Sequence, residues 1–489
     1  MTKIPMKDMV VILPGILGSV LQKDGRDLWA ISGQSFWNLV TNSKETIKSL
    51  ELGFDDPSLD DLGDGIRATR LIEDVSIIPG LVKIDGYTQT TRMITDNFEV
   101  TMGDIYNDPD EKAANLYHFP YDWRRDNRIH ARKLKTLIDK RLKRWREASG
   151  APDAKVVLLA HSMGGLVSRY YLEVLGGWRD ARALFTFGTP HRGSINGLNF
   201  LANDYKQLFF DLTNVMRSLT SVYQLLPLYP AIKIGNEFVR VTETDQVPNV
   251  IQSRAQDARN FHDEIFNAVT ENEKEEAYRN NFITVPVIGI KQPTLQSAEM
   301  IEGKLVASQT LPAALAGRVD YVDGDGTVPK ISAIPNELSK QSRSFNNRFI
   351  SESHGALQNQ EQILQCVKEA IATTQFEDAF SIRAMEASIG LAVDDLYLPE
   401  EPLALQASVT SEASAEVTGL QAVITPVAKE GIPLTLNFEQ QSAQQQTQQW
   451  ALSTEQLPAG RYRVVVNATG NGSLPDPVHN MFEVAGSAL

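Results

Sequence analysis

The chain contains very little cysteine and no long apolar run. Cys366 is the only cysteine in 489 residues, which excludes an intramolecular disulfide and favours a reducing compartment. No stretch of about 18 apolar residues is present, so we predict no membrane-spanning helix. The early run MVVILPGILG has neither a long apolar core nor a small-residue cleavage site, which argues against a secretory signal. These absences predict a cytoplasmic protein.

Positive charge is also scarce. The chain has 47 Lys and Arg against 61 Asp and Glu, a net charge of -14. A field of this sign repels nucleic acid and anionic lipid, so we expect no nucleic-acid partner and only local contact with a membrane surface. The basic segment 124–146 has apolar residues at helical spacing, which predicts an amphipathic helix with a solvated basic face.

Spacings typical of metal sites are missing as well. The loop VDGDGTVP at 322–329 suggests calcium, but the twelfth position counted from Asp323 is Ile334, not the glutamate that an EF-hand requires. No pair of His or Cys residues has the spacing of a zinc site. The sequence therefore predicts neither a metal nor a cofactor.

The first half alternates apolar runs with amphipathic helices. MVVILPG at 9–15, KVVLLAH at 155–161 and ALFTFGTP at 183–190 each predict a strand. Such alternation is typical of a mostly parallel sheet with helices on both faces, an α/β fold. Residues 201–281 form looser apolar clusters, which predict either a cap inserted into this fold or a plain helical excursion.

The composition changes after about residue 376. Ser, Thr, Ala, Gln and Val become frequent, and short alternating runs such as LQAVITPVA and GRYRVVVNATG replace helical patterns. Such runs predict a compact β-sandwich. We therefore predict two domains, residues 1–376 with the insertion at about 201–281, and a β-sandwich-like accessory domain at 377–489.

The most informative segment is VVLLAHSMGGLVSRYYL at 156–172. It places Ser162 between a strand-like run and a glycine pair that opens a helix, which is typical of a nucleophile elbow. A serine hydroxyl is a weak nucleophile, so hydrolases present it on a sharp turn within reach of a histidine and an oxyanion hole. Ala160 replaces the first glycine of the usual G-x-S-x-G. The alternative is an ordinary strand-to-helix connection with a capping serine.

Chain order indicates the partners of this serine. α/β-Hydrolases supply nucleophile, acid and histidine in that order. Three histidines follow the start of the insertion, and His262 lies in its cap-like segment while His479 lies near the end of the tail. His354, on a polar loop before a helix, is therefore the candidate general base. Asp325 is the candidate carboxylate that orients it, with Asp323 as the near rival.

Five segments together resemble the lecithin:cholesterol acyltransferase family, which includes lysosomal phospholipases and phospholipid:diacylglycerol acyltransferases. They are VVILPGILGS at 10–19, PYDWR at 120–124, AHSMGG at 160–165, GTPHRGS at 188–194 and GDGTVP at 324–329. The resemblance implies an α/β-hydrolase fold with a helical cap and a serine that attacks a lipid acyl ester. It also implies that the backbone N–H groups of Ile16 and Met163 face the oxyanion. The tail is not covered by it.

The resemblance leaves other residues outside the catalytic set. We expect Asp122 and Arg124 to form a structural ion pair. Trp29, Phe36 and Trp37 follow the first loop, where family members carry a segment that contacts lipid. These aromatic residues are expected either to form an exposed wedge on a membrane surface or to pack inside the protein.

The expected function is that of a serine-dependent lipid acyl hydrolase or acyltransferase, of the lipase or phospholipase kind, with water as the default acyl acceptor. One alternative is a carboxylesterase or thioesterase acting on soluble acyl substrates, and another is a catalytically inert binding scaffold. Because uncontrolled attack on membrane lipid would endanger the host, we expect control by the cap or by a regulatory protein partner.

Overall fold

The computed structural model describes most of the chain. The residues outside the description are 1, 31–43, 74, 79–81, 108–112, 208–209, 316–321, 341–348, 375–386, 399, 411–415, 428–431, 444–446, 456 and 487–489. The predicted domain boundary after residue 376 falls among them, as do Phe36 and Trp37, so these two parts of the sequence analysis stay predictions.

A seven-stranded parallel sheet forms the centre of the first part of the chain. Its strands are β1 (Met9–Leu13), β2 (Met102–Asp104), β3 (Leu116–His118), β4 (Val156–His161), β5 (Ala181–Phe187), β6 (Ile283–Gly289) and β7 (Phe349–Ile350). Their order across the sheet is β7-β6-β5-β4-β1-β3-β2. Every residue of β1 and β4 is buried, which explains why both read as continuous apolar runs rather than alternating ones.

Helices connect and cover these strands. They are α1 (Lys44–Ser49), α2 (Thr88–Asn97), α3 (Asn127–Ser149), α4 (Gly164–Arg169), α5 (Ile195–Ala202), α6 (Thr213–Ser218), α7 (Thr220–Tyr223), α8 (Gln252–Asn272), α9 (Glu276–Asn281), α10 (Lys330–Ala333) and α11 (Glu361–Thr373). A π-helical turn, Tyr170–Val174, continues α4, and short 3-10 helices lie at Gly177–Asp180, Val241–Glu243, Ala313–Leu315, Glu337–Lys340 and Leu357–Asn359. Within the described ranges, no helix is long and apolar enough to cross a bilayer.

The basic helix is confirmed as α3, but its basic face is only partly solvated, because Arg128 and Arg141 are buried. It begins after Asp126, whose carboxylate accepts a hydrogen bond from the backbone of Arg128, and it ends at Gly150 in the left-handed conformation. Its buried face includes Leu134 and Ile138. These residues join the apolar core around the parallel sheet, as the periodicity of the segment indicates.

Residues 201–281 combine helices with small strands. The helices are α6 to α9, and strands Ile232–Ile234 and Glu237–Val239 pair with Ser297–Ile301 and Lys304–Ser308 in a four-stranded sheet. The segment is therefore more than a helical excursion, because half of that sheet comes from beyond it. Its role as a cap stays a prediction.

Further short strands surround the central sheet. They are Ile4–Pro5 with Phe98–Glu99, Arg26–Trp29 with Ser19–Lys23 and Ile66–Leu71, Ser76–Ile78 with Val82–Ile84, and Lys206–Gln207 with Phe210–Asp211. The strand Ser19–Lys23 follows directly on the loop after β1 and so fixes the far end of that loop.

The β-rich tail is confirmed as two antiparallel sheets. The strands are β8 (Ser388–Val393), β9 (Leu396–Tyr397), β10 (Leu403–Thr410), β11 (Glu416–Pro426), β12 (Leu434–Asn437), β13 (Glu439–Ala443), β14 (Thr447–Thr454), β15 (Gly460–Asn471) and β16 (Val478–Val484). One sheet has the order β8-β10-β14-β13 and the other β9-β16-β15-β11-β12, in which β9 and β16 alone are parallel. Their inward residues share one apolar core that is separate from the core around the parallel sheet.

Candidate active site

Ser162 lies on the tight turn between β4 and α4. Its φ is 51°, in the left-handed region that costs a non-glycine residue about 1 to 2 kcal/mol. The turn is held on both sides, because the Ser162 N–H donates to the carbonyl of Phe187 at 2.8 Å and the Thr189 hydroxyl donates to the Ser162 carbonyl at 2.8 Å. A strained residue fixed by its neighbours in this way is the local geometry of a nucleophile elbow.

Small residues around the turn leave room for it. A Cβ at Gly164 would collide with the carbonyl oxygen of Pro14, and a Cβ at Gly165 would collide with the Thr189 hydroxyl. The glycine pair noted in the sequence is therefore required by the close approach of the loop after β1 and of the segment after β5.

The structure brings Ser162, His354 and Asp325 together. His354 Nε2 lies 3.0 Å from Ser162 Oγ, and His354 Nδ1 lies 2.7 Å from Asp325 Oδ2. All three are nearly inaccessible, with exposed fractions of 7%, 4% and 1% for Ser162, His354 and Asp325. Because the carboxylate can only accept, Nδ1 carries the proton and Nε2 is left to accept from the serine hydroxyl, an assignment made from the partners.

The Asp325 carboxylate is itself fixed in place. Its second oxygen, Oδ1, accepts from the backbone N–H groups of Thr327 at 2.9 Å and Val328 at 2.7 Å. Its own carbonyl accepts from the His354 N–H at 2.8 Å, so the two loops are joined by backbone as well as by side chain.

The rival carboxylate lies elsewhere. Asp323 has a φ of 70°, and its Oδ1 has no hydrogen-bond partner among the described residues. Burial raises the pKa of Asp323 above its ordinary value. The geometry favours Asp325 as the partner of His354.

Glycine also makes room between strand ends and the acid–histidine pair. Gly188, directly after β5, has a φ of 58°, and a Cβ there would lie 2.7 Å from Asp325 Oδ2 and 2.8 Å from His354 Nδ1. This glycine belongs to the motif GTPHRGS, which sequence reasoning did not connect with the site.

The loop after β1 packs directly against the serine. A Cβ at Gly15 would lie 2.8 Å from the Cβ of Ser162. The Gly15 N–H is already used, since it donates to the Tyr87 hydroxyl at 2.9 Å. The N–H groups of Ile16 and Met163 have no hydrogen-bond partner in the described part of the chain. Unpaired N–H groups in these two segments are compatible with an oxyanion hole, which stays a prediction.

Two further side chains, Tyr87 and His161, lie at this site, and sequence reasoning assigned neither of them a role in it. Tyr87 Oη lies 3.1 Å from His161 Nδ1, and His161 Nε2 lies 3.0 Å from the carbonyl oxygen of His354. Burial, reinforced by His354 whenever that ring is protonated, lowers the pKa of His161 to about 3, so its ring is neutral. Nε2 therefore donates to the carbonyl and Nδ1 accepts from the tyrosine.

Tyr87 and His161 together connect the Gly15 loop to the backbone of His354. The position of His161 beside the nucleophile was a usable signal. Tyr87 gave none, because it lies 74 positions away from that histidine.

Other residues singled out in the sequence have structural places. Arg124 is fully buried and pairs with Asp122 at 2.7 Å and Asp64 at 2.8 Å. The Trp29 side chain is buried, and its indole N–H donates to the Leu17 carbonyl at 3.2 Å. Of the two expectations for this residue, packing inside the protein therefore holds. His262 bonds to a backbone carbonyl inside the insertion.

One cavity adjoins the site, and a second lies farther along α4. One, of about 510 Å³, is lined by Asp325 and His354 on one side and by Leu391 and Asn480 of the β-rich tail on the other. The other, of about 730 Å³, lies between α4 and α8 and is lined by apolar side chains such as Phe266 together with arginines and acids. In the described residues no group of three or more His, Cys, Asp or Glu side chains is arranged to hold a metal ion.

Comparison with protein families gives a match over nearly half of the chain. Residues 83–316 match the family model described as lecithin:cholesterol acyltransferase. The resemblance to the lecithin:cholesterol acyltransferase family is confirmed. The matched region includes Tyr87, His161 and Ser162 and ends before Asp325 and His354.

Similar solved structures are distant. A chain in the crystal structure of the Tle4–Tli4 complex aligns at 14% identity with a TM-score of 0.46, covering 77% of this chain and 98% of that one. The lipase BlEst2 of Bacillus licheniformis, in its propeptide form, aligns at 11% identity with a TM-score of 0.30, covering 97% of this chain and 93% of that one. Neither likeness assigns a function at these scores. None of the curated proteins matches the chain.

Proposed function

We propose that this protein hydrolyses or transfers the acyl group of a lipid ester through an acyl-enzyme on Ser162. The observation that carries the proposal is the buried, continuous hydrogen-bonded series Ser162 Oγ, His354 Nε2, His354 Nδ1, Asp325 Oδ2, with contacts of 3.0 and 2.7 Å. The family likeness supports acyl hydrolysis or transfer on lipids as the general class.

Acylation uses each group once. Ser162 Oγ attacks the ester carbonyl carbon while His354 Nε2 takes the serine proton, and the carbonyl electron pair moves onto oxygen. Asp325 stabilises the imidazolium that forms. The N–H groups of Ile16 and Met163 would donate to the oxyanion, and the loss of one such donor typically costs about 3 to 4 kcal/mol of barrier. The intermediate then releases the alcohol, which receives the proton from His354.

Deacylation repeats the cycle with a new acceptor. Water or an alcohol attacks the acyl-serine, His354 takes its proton, and Ser162 regains its hydrogen as the acid or the new ester leaves. The extent to which the site excludes water decides between hydrolysis and transfer. We take water as the default acceptor because it is always present.

Three further expectations accompany the proposal. They are local contact with a membrane surface, control by the insertion or by a regulatory protein, and a cytoplasmic location. Each stays a prediction. A carboxylesterase or thioesterase on soluble substrates remains the alternative within the same chemistry, and an inert scaffold remains the alternative outside it.

Product analysis with Ser162→Ala tests the proposal. The wild-type protein and the variant are incubated with phosphatidylcholine vesicles, with and without a long-chain alcohol, and fatty acid and new ester are quantified by mass spectrometry. We expect Ser162→Ala to lower the rate roughly 10⁵-fold or more, because the nucleophile is absent. A fluorophosphonate probe should label the wild type and not the variant.

Ser168→Ala is the matched control. It removes a buried hydroxyl of the same helix that donates to the Gly164 carbonyl at 2.9 Å and contacts no member of the proposed triad. Its labelling should equal that of the wild type. Activity confined to short soluble esters would replace the lipid proposal by the carboxylesterase. A folded wild type that neither turns over an ester nor takes up the probe would support the scaffold.

A further inference from the structure

The loop that carries His354 is held by the β-rich tail. This histidine loop, residues 351–355, follows β7, the edge strand of the parallel sheet. The Ser351 hydroxyl donates to the Ile389 carbonyl of β8 at 2.7 Å. The Ser353 hydroxyl donates to the His479 carbonyl of β16 at 2.7 Å. Residues on both sides of position 352 are therefore anchored to the tail.

Glu352 is the central anchor. Its side chain is completely buried, and Oε2 lies 2.7 Å from His479 Nδ1. Oε1 accepts from the His479 backbone N–H at 3.0 Å and from the Ser353 N–H at 2.8 Å. A buried carboxylate is tolerated only when donors surround it, and two of these three donors belong to His479.

Gln292 joins the tail to the other catalytic loop. Its side-chain amide donates to the Ile389 carbonyl at 3.2 Å and accepts from the Leu391 N–H at 3.1 Å. Its backbone N–H donates to the Gly324 carbonyl at 3.0 Å, next to Asp325. Strand β8 thus contacts the supports of both the acid and the histidine.

On its far side the histidine loop packs against the segment at residues 83–85. The Gly355 carbonyl accepts from the Asp85 N–H at 2.9 Å, and a Cβ at Gly355 would collide with the Lys83 carbonyl. Lys83 itself reaches the tail, where its ammonium pairs with Asp395 at 2.6 Å and donates to Asn480 Oδ1 at 3.1 Å. The loop is enclosed between this segment and β16.

We propose that the β-rich tail positions the histidine loop for catalysis, with His479 as the positioning residue acting through Glu352. The inference rests on the proposed function, since it concerns the same His354. His479 touches no reacting atom, and its effect is on the 3.0 Å contact between His354 and Ser162. Displacing a catalytic group by about 1 Å can cost around a hundredfold in rate.

The charge on His479 contributes to this support. Burial lowers the pKa of His479, but its hydrogen bond and attraction to Glu352, with Asp85 and Glu361 nearby, outweigh that effect and hold the pKa above 6.5. Arg463 also faces this cluster and is paired with Asp85 at 2.6 Å. His479 is 40% exposed, so it exchanges protons with solvent. A raised pKa means that the stabilisation is complete below pH 6.5 and is lost as the pH rises through the folded-state value.

The experiment compares kcat and KM of full-length variants across pH with a soluble aryl ester. His479→Ala should lower kcat about 10- to 100-fold with a much smaller change in KM, because the displaced His354 acts in the chemical step. His479→Asn keeps a donor near the position of Nδ1 but does not titrate. It should restore most of kcat and remove the alkaline decline of the wild-type profile.

Asp476→Ala is the matched control. Asp476 accepts from the Gln362 side chain at 2.6 Å, a contact between tail and α11 that does not involve the histidine loop, so kcat should be unchanged. If His479→Ala fails to fold, Ser353→Ala, which removes only the hydroxyl contact, should still lower kcat with KM unchanged. This inference alone is overturned if His479→Ala and Ser353→Ala both keep the wild-type kcat and pH profile while Ser162→Ala is inactive. An inactive folded wild type overturns the proposed function as well.

Discussion

At the scale of single residues, the site depends on which atoms can accept hydrogen bonds. Asp325 Oδ1 is committed to the N–H groups of Thr327 and Val328, which leaves Oδ2 for His354 Nδ1. This commitment sets the tautomer of His354, and the tautomer decides whether Nε2 can take a proton from Ser162.

Asp325→Asn tests this dependence. The introduced amide oxygen must occupy the Oδ1 position to satisfy the two backbone donors, so its NH₂ group faces His354 Nδ1 and forces the proton onto Nε2. We expect kcat for an aryl ester to fall about 10⁴-fold with the fold intact. Asp323→Asn is the control and should retain nearly full activity. If Asp323→Asn lowers kcat more than Asp325→Asn does, Asp323 and not Asp325 is the carboxylate that orients His354.

The three residues that motif order indicates lie together in the structure, and their catalytic roles stay a prediction. The small residues around Ser162 indicate the nucleophile, and the order of nucleophile, acid and histidine along the chain indicates Asp325 and His354. The role of Tyr87 and the partners of His161 could not be predicted from the sequence, because these contacts depend on how α2 packs beside the loop after β1. Local patterns carry no information about such packing.

At the scale of elements, two neighbouring arginines, Arg124 and Arg125, join three segments ahead of α3. Arg124 contacts Asp122 in its own segment and Asp64 from a distant loop, while Arg125 pairs with Asp55 at 3.0 Å. The Trp123 indole N–H donates to the Ser19 carbonyl at 3.1 Å, beside the loop that packs on the serine. The motif PYDWR thus contacts the segment beside the loop after β1 and does not contact the proposed triad.

Arg124→Met tests the structural role of this cation. The substitution leaves Asp122 largely buried without its partner, so we expect the free energy of unfolding to fall by about 3 to 5 kcal/mol in urea titrations. The activity of the folded fraction should persist. Lys274→Ala, which removes an exposed ion pair with Glu271, should be nearly neutral. An unchanged urea midpoint for Arg124→Met would contradict the assignment.

Element boundaries show what periodicity leaves out. The basic segment predicted a helix over 124–146, and α3 spans Asn127–Ser149. The start moves because Arg124 is used in an ion pair and Asp126 in the cap, and the end moves to Gly150. The sheet formed by Ile232–Ile234 with Ser297–Ile301 was not predicted, since its strands are short and pair across a long stretch of sequence.

At the scale of the whole molecule, net charge governs any encounter with a lipid surface. The excess of 14 negative charges repels anionic headgroups at long range, and this repulsion is screened over about 10 Å at 0.1 M salt. At short range, contact with a membrane depends on a local surface patch, and the net charge does not determine whether such a patch exists.

Vesicle composition and salt test this balance. At low ionic strength we expect slower hydrolysis of phosphatidylcholine in vesicles containing anionic lipid than in purely zwitterionic ones. The two rates should converge as salt rises from about 10 to 200 mM, because screening removes the repulsion. Turnover of a neutral soluble ester, measured in parallel, should be independent of salt. Faster hydrolysis on anionic vesicles at low salt would reveal a basic patch that outweighs the net charge.

The order in which contacts form along the chain bears on how the protein is made. His479, the partner of Glu352, lies 127 positions downstream of it, whereas Ser162, Asp325 and His354 are all synthesised well before that point. A chain truncated between residues 355 and 478 contains all three residues of the proposed triad but lacks the His479 partner of Glu352. Under the proposed function, truncated chains of this kind are therefore expected to hydrolyse esters poorly.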